Sequence, residues 1–118
     1  LYGILYWLVR MIYQIELPAE AKVGRRLIIG HQGGVVISHY ATIGDDCLIR
    51  HNVTVGGRFG AKDAPTIGNR VSIAPGAALI GAIKVGDDAV IGPNAVVMTD
   101  VPPGARVLAP MAQIHDEG

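Results

Sequence analysis

The sequence has few aromatic side chains and almost no cysteine. Of 118 residues six are aromatic, and Tyr2, Tyr6, Trp7 and Tyr13 are crowded at the start, leaving only Tyr40 and Phe59 after Pro18. Domain cores draw much of their buried area from aromatic rings. The shortage excludes most mixed α/β and sandwich cores and implies a repetitive, aliphatic one. The single cysteine, Cys47, excludes an intramolecular disulfide framework and suits a reducing, cytoplasmic setting. Net charge is lacking too. Ten basic and ten acidic residues cancel without a long run of either sign, so no nucleic-acid partner is expected. Nor is there a long apolar run: residues 1–17 are interrupted by Arg10 and fall short of the roughly 20 residues a membrane span needs. No small-residue cleavage site follows them, and the first residue is Leu1 rather than Met, as in a fragment or trimmed chain.

Apolar residues and glycine are plentiful. Half the residues are hydrophobic and 16 are glycine, about twice the usual glycine content. In residues 1–17, Leu1, Ile4, Leu5, Leu8, Ile12 and Ile15 recur at helical spacing, beside a second stripe of Tyr2, Tyr6, Arg10 and Tyr13. The spacing predicts a helix ended by Pro18, apolar nearly all round and therefore buried against its own domain or a neighbouring subunit. Contact with a membrane surface is the alternative.

Beyond it the dominant signal is a period of six. Ile67, Ile73, Leu79, Val85, Ile91 and Val97 form one series, and Val71, Ala77, Ile83, Ala89, Ala95 and Val101 a second. With half of all residues apolar, such a set arises by chance in about 1 of 4,000 trials. The same phase runs through Ile37, Ile43, Ile49 and Val55, and through Ala41, Cys47 and Val53. In Ala41-Thr42-Ile43 the outer two residues face one side of a short strand. Turn formers follow, as in Gly44-Asp45-Asp46 and Gly92-Pro93-Asn94. A chain that bends at every sixth residue coils, and stacked coils form a solenoid with an interior too narrow for rings. Two places break the phase. Val23, Ile29 and Val35 are offset by two from Ile37, which a bulge near Gly33-Gly34 would absorb, and Arg58 to Pro65 reads as a loop leaving the coil.

The pattern resembles the hexapeptide-repeat acyltransferases, and within them the serine acetyltransferases. The matching segments are Leu17 to Gly24, Gly30-His31-Gln32-Gly33-Gly34-Val35-Val36-Ile37, His51 to Gly57, Ala64 to Gly68 and Asp100 to Gly104. The resemblance implies an all-β solenoid, a left-handed parallel β-helix preceded by one short α-helix. The units would be a helix at 1–17 (the last of a larger helical domain), coils over 18–105 with a protruding loop at 58–65, and a tail at 106–118. It also implies transfer of acetyl from acetyl-CoA to a hydroxyl, most directly that of serine, in a cytoplasmic homotrimer or dimer of trimers, with no metal.

The family's catalytic histidine falls on His31, two residues after Ile29 and so at a bend. Imidazole can take the hydroxyl proton near neutral pH and return it to the leaving thiolate. The partner carboxylate falls on Glu16, where the family has aspartate. The family's CoA groove, between subunits, maps to Gly56, Gly57, Pro75, Gly76, Pro93 and Asn94. Backbone N–H groups near Gly56-Gly57 are candidates for the oxyanion site. Arg106 stands in for a basic residue absent after Ala109-Pro110-Met111-Ala112. For the acceptor, His51, Arg58 and Lys62 are candidates. The Arg-His pair that the family places before the loop-closing proline is Asp63-Ala64 here, which opens a sugar of polysaccharide synthesis as the alternative acceptor. Ile114 to Gly118 lack the terminal isoleucine by which the family docks cysteine synthase, so that complex is not expected. A zinc enzyme of the carbonic anhydrase kind would need His31, His39 and His51 to converge, although the hexad phase sets His39 and His51 on different corners. A coil without catalysis is the remaining alternative.

Overall fold

The computed structural model describes residues 2–13, 15–16, 21–30, 33–60 and 62–115, with residues 8–13, 15 and 16 described by their backbone alone. The boundary expected at residue 17/18, including Pro18, lies outside the described residues, as do His31 and residues 116–118.

The chain winds into a three-faced parallel solenoid. Face one holds Ile15–Glu16, Val35–Ile37, Thr54–Gly56, Ala78–Ile80 and Val96–Val97. Face two holds Lys22–Val23, Thr42–Ile43, Thr66–Ile67 and Lys84–Val85, with a further bridge from Val85 to Val101. Face three holds Ile28–Ile29, Leu48–Ile49, Ser72–Ile73, Val90–Ile91 and Arg106–Val107. Every strand pairs in parallel with the strand one coil away, as in Ile37 with Val55 and Leu79 with Val97, each a separation of three hexads.

The two phase breaks appear as register offsets. Ile29 pairs with Ile49, two residues more than three hexads, and Val55 pairs with Leu79, six more. The first excess falls at Gly33 and Gly34, both at positive φ, and the second at the loop that follows Gly56. Every apolar position of the hexad series is buried, together with Val35. Among the described residues no polar or charged one is buried. Cys47 is part of that interior. Its thiol donates to the Gly68 carbonyl at 3.2 Å, and burial pushes its pKa up.

The bends repeat one backbone solution. Arg26, Asp46, Asn52, Arg70, Asp88 and Asn94 have φ between 56 and 64°, and Gly34, Gly76 and Gly104 take the equivalent place. At the corner between faces two and three, the side chain of each coil caps the coil before it. Asp45 Oδ1 accepts from Arg25 N–H at 2.7 Å, Asn69 Oδ1 from Asp45 N–H at 2.8 Å and Asp87 Oδ1 from Asn69 N–H at 2.7 Å. The row is possible because Gly24, Gly44 and Gly68 leave open the space that those oxygens enter. Beside it, the Arg26 and Arg70 guanidiniums grip the Asp46 and Asp88 carboxylates with two hydrogen bonds each. The hydrogen bonds from arginine hold both carboxyls below the usual carboxylate range and hold both guanidiniums above their ordinary value.

The N-terminal helix, α1 (Tyr2–Tyr13), is shorter than its periodicity predicts. Ile15 and Glu16 are strand instead, in register with Val35 and Val36, because the edge of face one offers a hydrogen-bonding partner that a further helical turn would forgo. Tyr2 stacks on Tyr6, whose ring meets Trp7 edge-on. Trp7 is 59% exposed, and Tyr2, Ile4 and Leu5 are exposed too. No helix among the described residues is long and apolar enough to cross a membrane. At the other end the coil reaches Arg106–Val107, paired with Val90–Ile91, so the tail leaves it later than residue 105.

Candidate active site

The solenoid presents two departures from regularity, at opposite edges of face one. The first is the corner between faces three and one. Its bends are stacked: Asn52 N–H donates to the Gly33 carbonyl at 3.0 Å, Gly76 N–H to the His51 carbonyl at 3.1 Å and Asn94 N–H to the Pro75 carbonyl at 3.0 Å. Gly33, His51, Pro75 and Pro93 therefore form one row, each immediately before a residue at positive φ. At Gly34 and Gly76 that requirement is met by glycine, and the side-chain oxygens of Asn52 and Asn94 fill the space where a Cβ would stand. His51 is half-buried, with its Nδ1 buried, while Arg50 and Asn52 on either side are exposed.

The second departure is the loop between Gly56 and Thr66, at the corner between faces one and two. Asp63 closes it, accepting from Phe59 N–H at 3.2 Å through Oδ2 and donating its own N–H to the Gly60 carbonyl at 3.2 Å. A Cβ at Gly57 would run into the carbonyls of Gly60 and Asp63, so this tight return needs glycine. Phe59 is 83% exposed, and the Arg58 guanidinium lies 4.7 Å from its ring centroid. Lys62 is exposed. On the preceding coil the same corner carries exposed His39 and Tyr40, with Tyr40 N–H donating to Ser38 Oγ at 3.2 Å.

The residues singled out in the sequence are thus divided. Pro75-Gly76 and Pro93-Asn94 come together with His51 on one corner, whereas Gly56, Gly57, Arg58 and Lys62 lie across face one. Arg106 is exposed on the last strand of face three, opposite Val90. Glu16 is placed by its backbone opposite Val36, three residues past Gly33. His31 lies outside the described residues, but the neighbours that bracket it do not: Gly30 N–H donates to the Ile49 carbonyl at 2.8 Å, and Gly33 accepts from Asn52. His39 and His51 occupy different corners, and no group of three metal-binding side chains occurs among the described residues. Sequence reasoning missed the part Asp63 takes in closing the loop and the company that His39 and Tyr40 keep with it. The available signal was the position of His39 and Tyr40 three hexads, one full coil, before Gly57 and Arg58.

Comparison with known proteins agrees with this architecture. The family described as "Bacterial transferase hexapeptide (six repeats)" matches residues 64–99. A serine acetyltransferase of Helicobacter pylori is 49% identical over 108 residues, covering 90% of this chain and 63% of the relative. One from Mycobacterium tuberculosis is 44% identical over 107 residues, 89% of this chain and 47% of the relative. The chain therefore spans less than two thirds of the length of the curated relatives it matches. In three dimensions it superposes on serine acetyltransferase isoform 3 of Entamoeba histolytica, solved in complex with cysteine, with TM-score 0.87 at 30% identity, over 97% of this chain and 42% of the other. The serine acetyltransferase of Neisseria gonorrhoeae, solved in complex with serine, gives TM-score 0.84 at 32% identity, over 95% and 46%. A mirror-image coil would not superpose so closely, so the solenoid shares the left-handed turn of that fold. Residues 64–99 thus carry the hexapeptide repeat of bacterial transferases, and in sequence and in coil the chain is similar to the serine acetyltransferases.

Proposed function

We propose that the protein is an acetyl-CoA-dependent O-acetyltransferase with serine as acceptor. The observation that carries this reading is the 49% identity to a serine acetyltransferase across 90% of the chain. It extends through the His31 segment and the coils on either side. In this reading His31 takes the proton of the serine hydroxyl as its oxygen attacks the thioester carbonyl of acetyl-CoA. The tetrahedral intermediate collapses with loss of CoA thiolate, which recovers the proton from the imidazolium. Glu16 steadies the imidazolium. Its strand is opposite Val35–Ile37, the strand that follows the His31 segment in the chain, which supports this pairing.

A groove for CoA fits the stacked bends at Pro75-Gly76 and Pro93-Asn94, whose outward neighbours Ala78 and Val96 give the pantetheine arm an apolar strip. Val96 is 68% exposed. Arg106 serves the phosphate end, and N–H groups near Gly56-Gly57 serve the oxyanion. A second subunit completes the groove. The outward rows support a homotrimer or a dimer of trimers, because exposed apolar side chains (Val36, Val96, Ile28, Val90) stand on faces one and three, while face two shows Lys22, Thr42, Thr66 and Lys84. A reducing, cytoplasmic setting suits Cys47 as a buried thiol.

Asp63 favours a second reading. The family's paired cations are absent from the loop, leaving Arg58 and Lys62 to meet a carboxylate, and a sugar hydroxyl needs no such cation. The test is release of CoA from acetyl-CoA with L-serine, homoserine or sugar nucleotides as acceptor. We expect serine-dependent turnover that His31→Ala lowers about 10²- to 10⁴-fold and Glu16→Gln lowers less. Turnover indifferent to His31→Ala, or none with any acceptor, would defeat the enzyme reading.

A further inference from the structure

We infer that Asp63 is a positioning residue for acceptor recognition, acting through Arg58, and that the acceptor class it serves bears a carboxylate; the inference rests on the acetyltransferase reading above. Three observations converge on it. The Asp63 carboxylate is engaged inside the loop: Oδ2 accepts from Phe59 N–H at 3.2 Å, while Asp63 N–H donates to the Gly60 carbonyl at 3.2 Å. Its side chain is partly buried, whereas Arg58, Phe59 and Gly60 are exposed. The residue that it holds then carries the cation, since the Arg58 guanidinium lies over the Phe59 ring, 4.7 Å from the centroid. Finally, the stem of Arg58 rests on the next coil. Gly81 has a φ of 98°, and a Cβ there would stand 3.5 Å from Arg58 Cβ. Gly81 N–H in turn donates to the Gly56 carbonyl at 2.9 Å, which ties the start of the loop to the same coil.

A guanidinium grips a carboxylate through two parallel N–H donors along one edge of its plane. Stacking on Phe59 uses the face of that plane and leaves the edge to donate. An arginine on an unconstrained loop loses rotamer freedom when it binds an anion, whereas one already laid on a ring and set against Gly81 has lost part of it beforehand. Of the loop's two exposed cations, Arg58 and Lys62, Arg58 is the one that these contacts hold. Asp63 would repel a carboxylate if it faced the acceptor; bound to Phe59 N–H, it shapes the loop instead. Removing its carboxylate should loosen Phe59 and Arg58 together and weaken acceptor binding, leaving acetyl-CoA binding and the chemical step unchanged.

The test compares wild type with Asp63→Ala, Asp63→Asn, Arg58→Ala and the double variant Arg58→Ala/Asp63→Ala, with melting temperature as the fold control. Acetyl-CoA turnover is measured with L-serine and with serinol, which keeps the amine and hydroxyl but has a hydroxymethyl group in place of the carboxylate. We expect Arg58→Ala to raise KM for serine about 10- to 100-fold and Asp63→Ala to raise it about 5-fold or more. In both, kcat, KM for acetyl-CoA and turnover of serinol should stay near wild type. Asp63→Asn should remain within about twofold of wild type, because an amide oxygen still accepts from Phe59 N–H. Asp63→Ala should add little once Arg58 is gone. A wild-type serine KM in folded Asp63→Ala, or an effect that persists undiminished without Arg58, overturns the inference. Tighter serine binding in Asp63→Asn overturns it in favour of direct repulsion of the acceptor. Equal rises in KM for serine and serinol overturn the carboxylate class, and loss of fold in Asp63→Ala assigns Asp63 a structural part and overturns it as well. A wild type that acetylates a sugar nucleotide but not serine overturns it while the enzyme reading stands, and one that turns over no acceptor removes both.

Discussion

Replacing Ile73 by alanine tests the narrow interior directly. Ile73 is 1% exposed and lies between Ile49 and Ile91 in the ladder of face three. The change deletes every side-chain carbon beyond Cβ, which at about 0.8 kcal/mol per buried methylene removes roughly 2.4 kcal/mol of transfer free energy. A cavity is left besides. In a three-faced coil the walls are backbone strands fixed by hydrogen bonds to the coils on either side, so they cannot close in on it. The cost should lie in the upper half of the roughly 2–5 kcal/mol seen for such truncations. Ile28 on the same face is 60% exposed, and Ile28→Ala should cost about 1 kcal/mol or less by the same area argument. For a chain of this length about 1 kcal/mol moves the melting temperature by roughly 3–6 °C. The pair should therefore separate by about 10 °C in thermal unfolding followed by circular dichroism. Equal losses from the two substitutions would refute the idea that one inward file of aliphatic residues carries the stability.

Two further predictions concern the corner between faces two and three. Arginine depresses the Asp46 and Asp88 carboxyls in the folded state, so their stabilisation is complete above the unfolded carboxylate value of about 3.9 and is lost as pH falls through the lower folded values. Both pairs are exposed, so the effect should be small and should weaken in high salt. Melting temperature against pH should fall more gently on the acid side in Asp46→Asn than in wild type, with the difference shrinking at 1 M salt. Gly44→Ala sets a Cβ against the carbonyl of Gly68, which is backbone and cannot swing aside. It should destabilise by about 2 kcal/mol or more, whereas alanine at Gly60, which meets nothing within 4 Å, should stay within about 0.5 kcal/mol; urea midpoints decide between them.

The fold was legible because the hexad constrains composition and position at once. Ile67, Ile73 and Leu79 are buried for the same reason that Gly68 and Asn69 turn the chain after Ile67. Even the offset at Gly33-Gly34 could be read, since a break in phase has no other outlet than an extra residue at a bend. The helix end could not. Ile15 satisfies a helical stripe and an edge strand equally, and only the partner strand at Val35 decides, a contact with no trace in local periodicity. The site was legible in part for a related reason. Spacing assigns a residue to a corner, as it did for His39 and His51, but it does not say that Asp63 folds back on Phe59. That contact follows from the loop's own path, where the repeat no longer instructs the chain.

This division has a functional consequence. In an unbroken hexad solenoid every coil repeats the one before, so a corner offers the same surface at each level and nothing to set a single reactive group apart. Chemistry has to enter where the repeat is interrupted. Here there are two interruptions, two extra residues at Gly33-Gly34 and six in the loop before Pro65, and they fall on opposite edges of the same face. Between them run the outward residues Val36, Thr54, Ala78 and Val96, a strip one strand wide that is apolar except at Thr54. The first interruption sets Ile29 opposite Ile49; the second puts Arg58, Phe59 and Lys62 on an exposed loop. On the proposed acetyltransferase reading, a change of acceptor would then require altering the loop alone, while the corner assigned to proton transfer stays anchored in the coil.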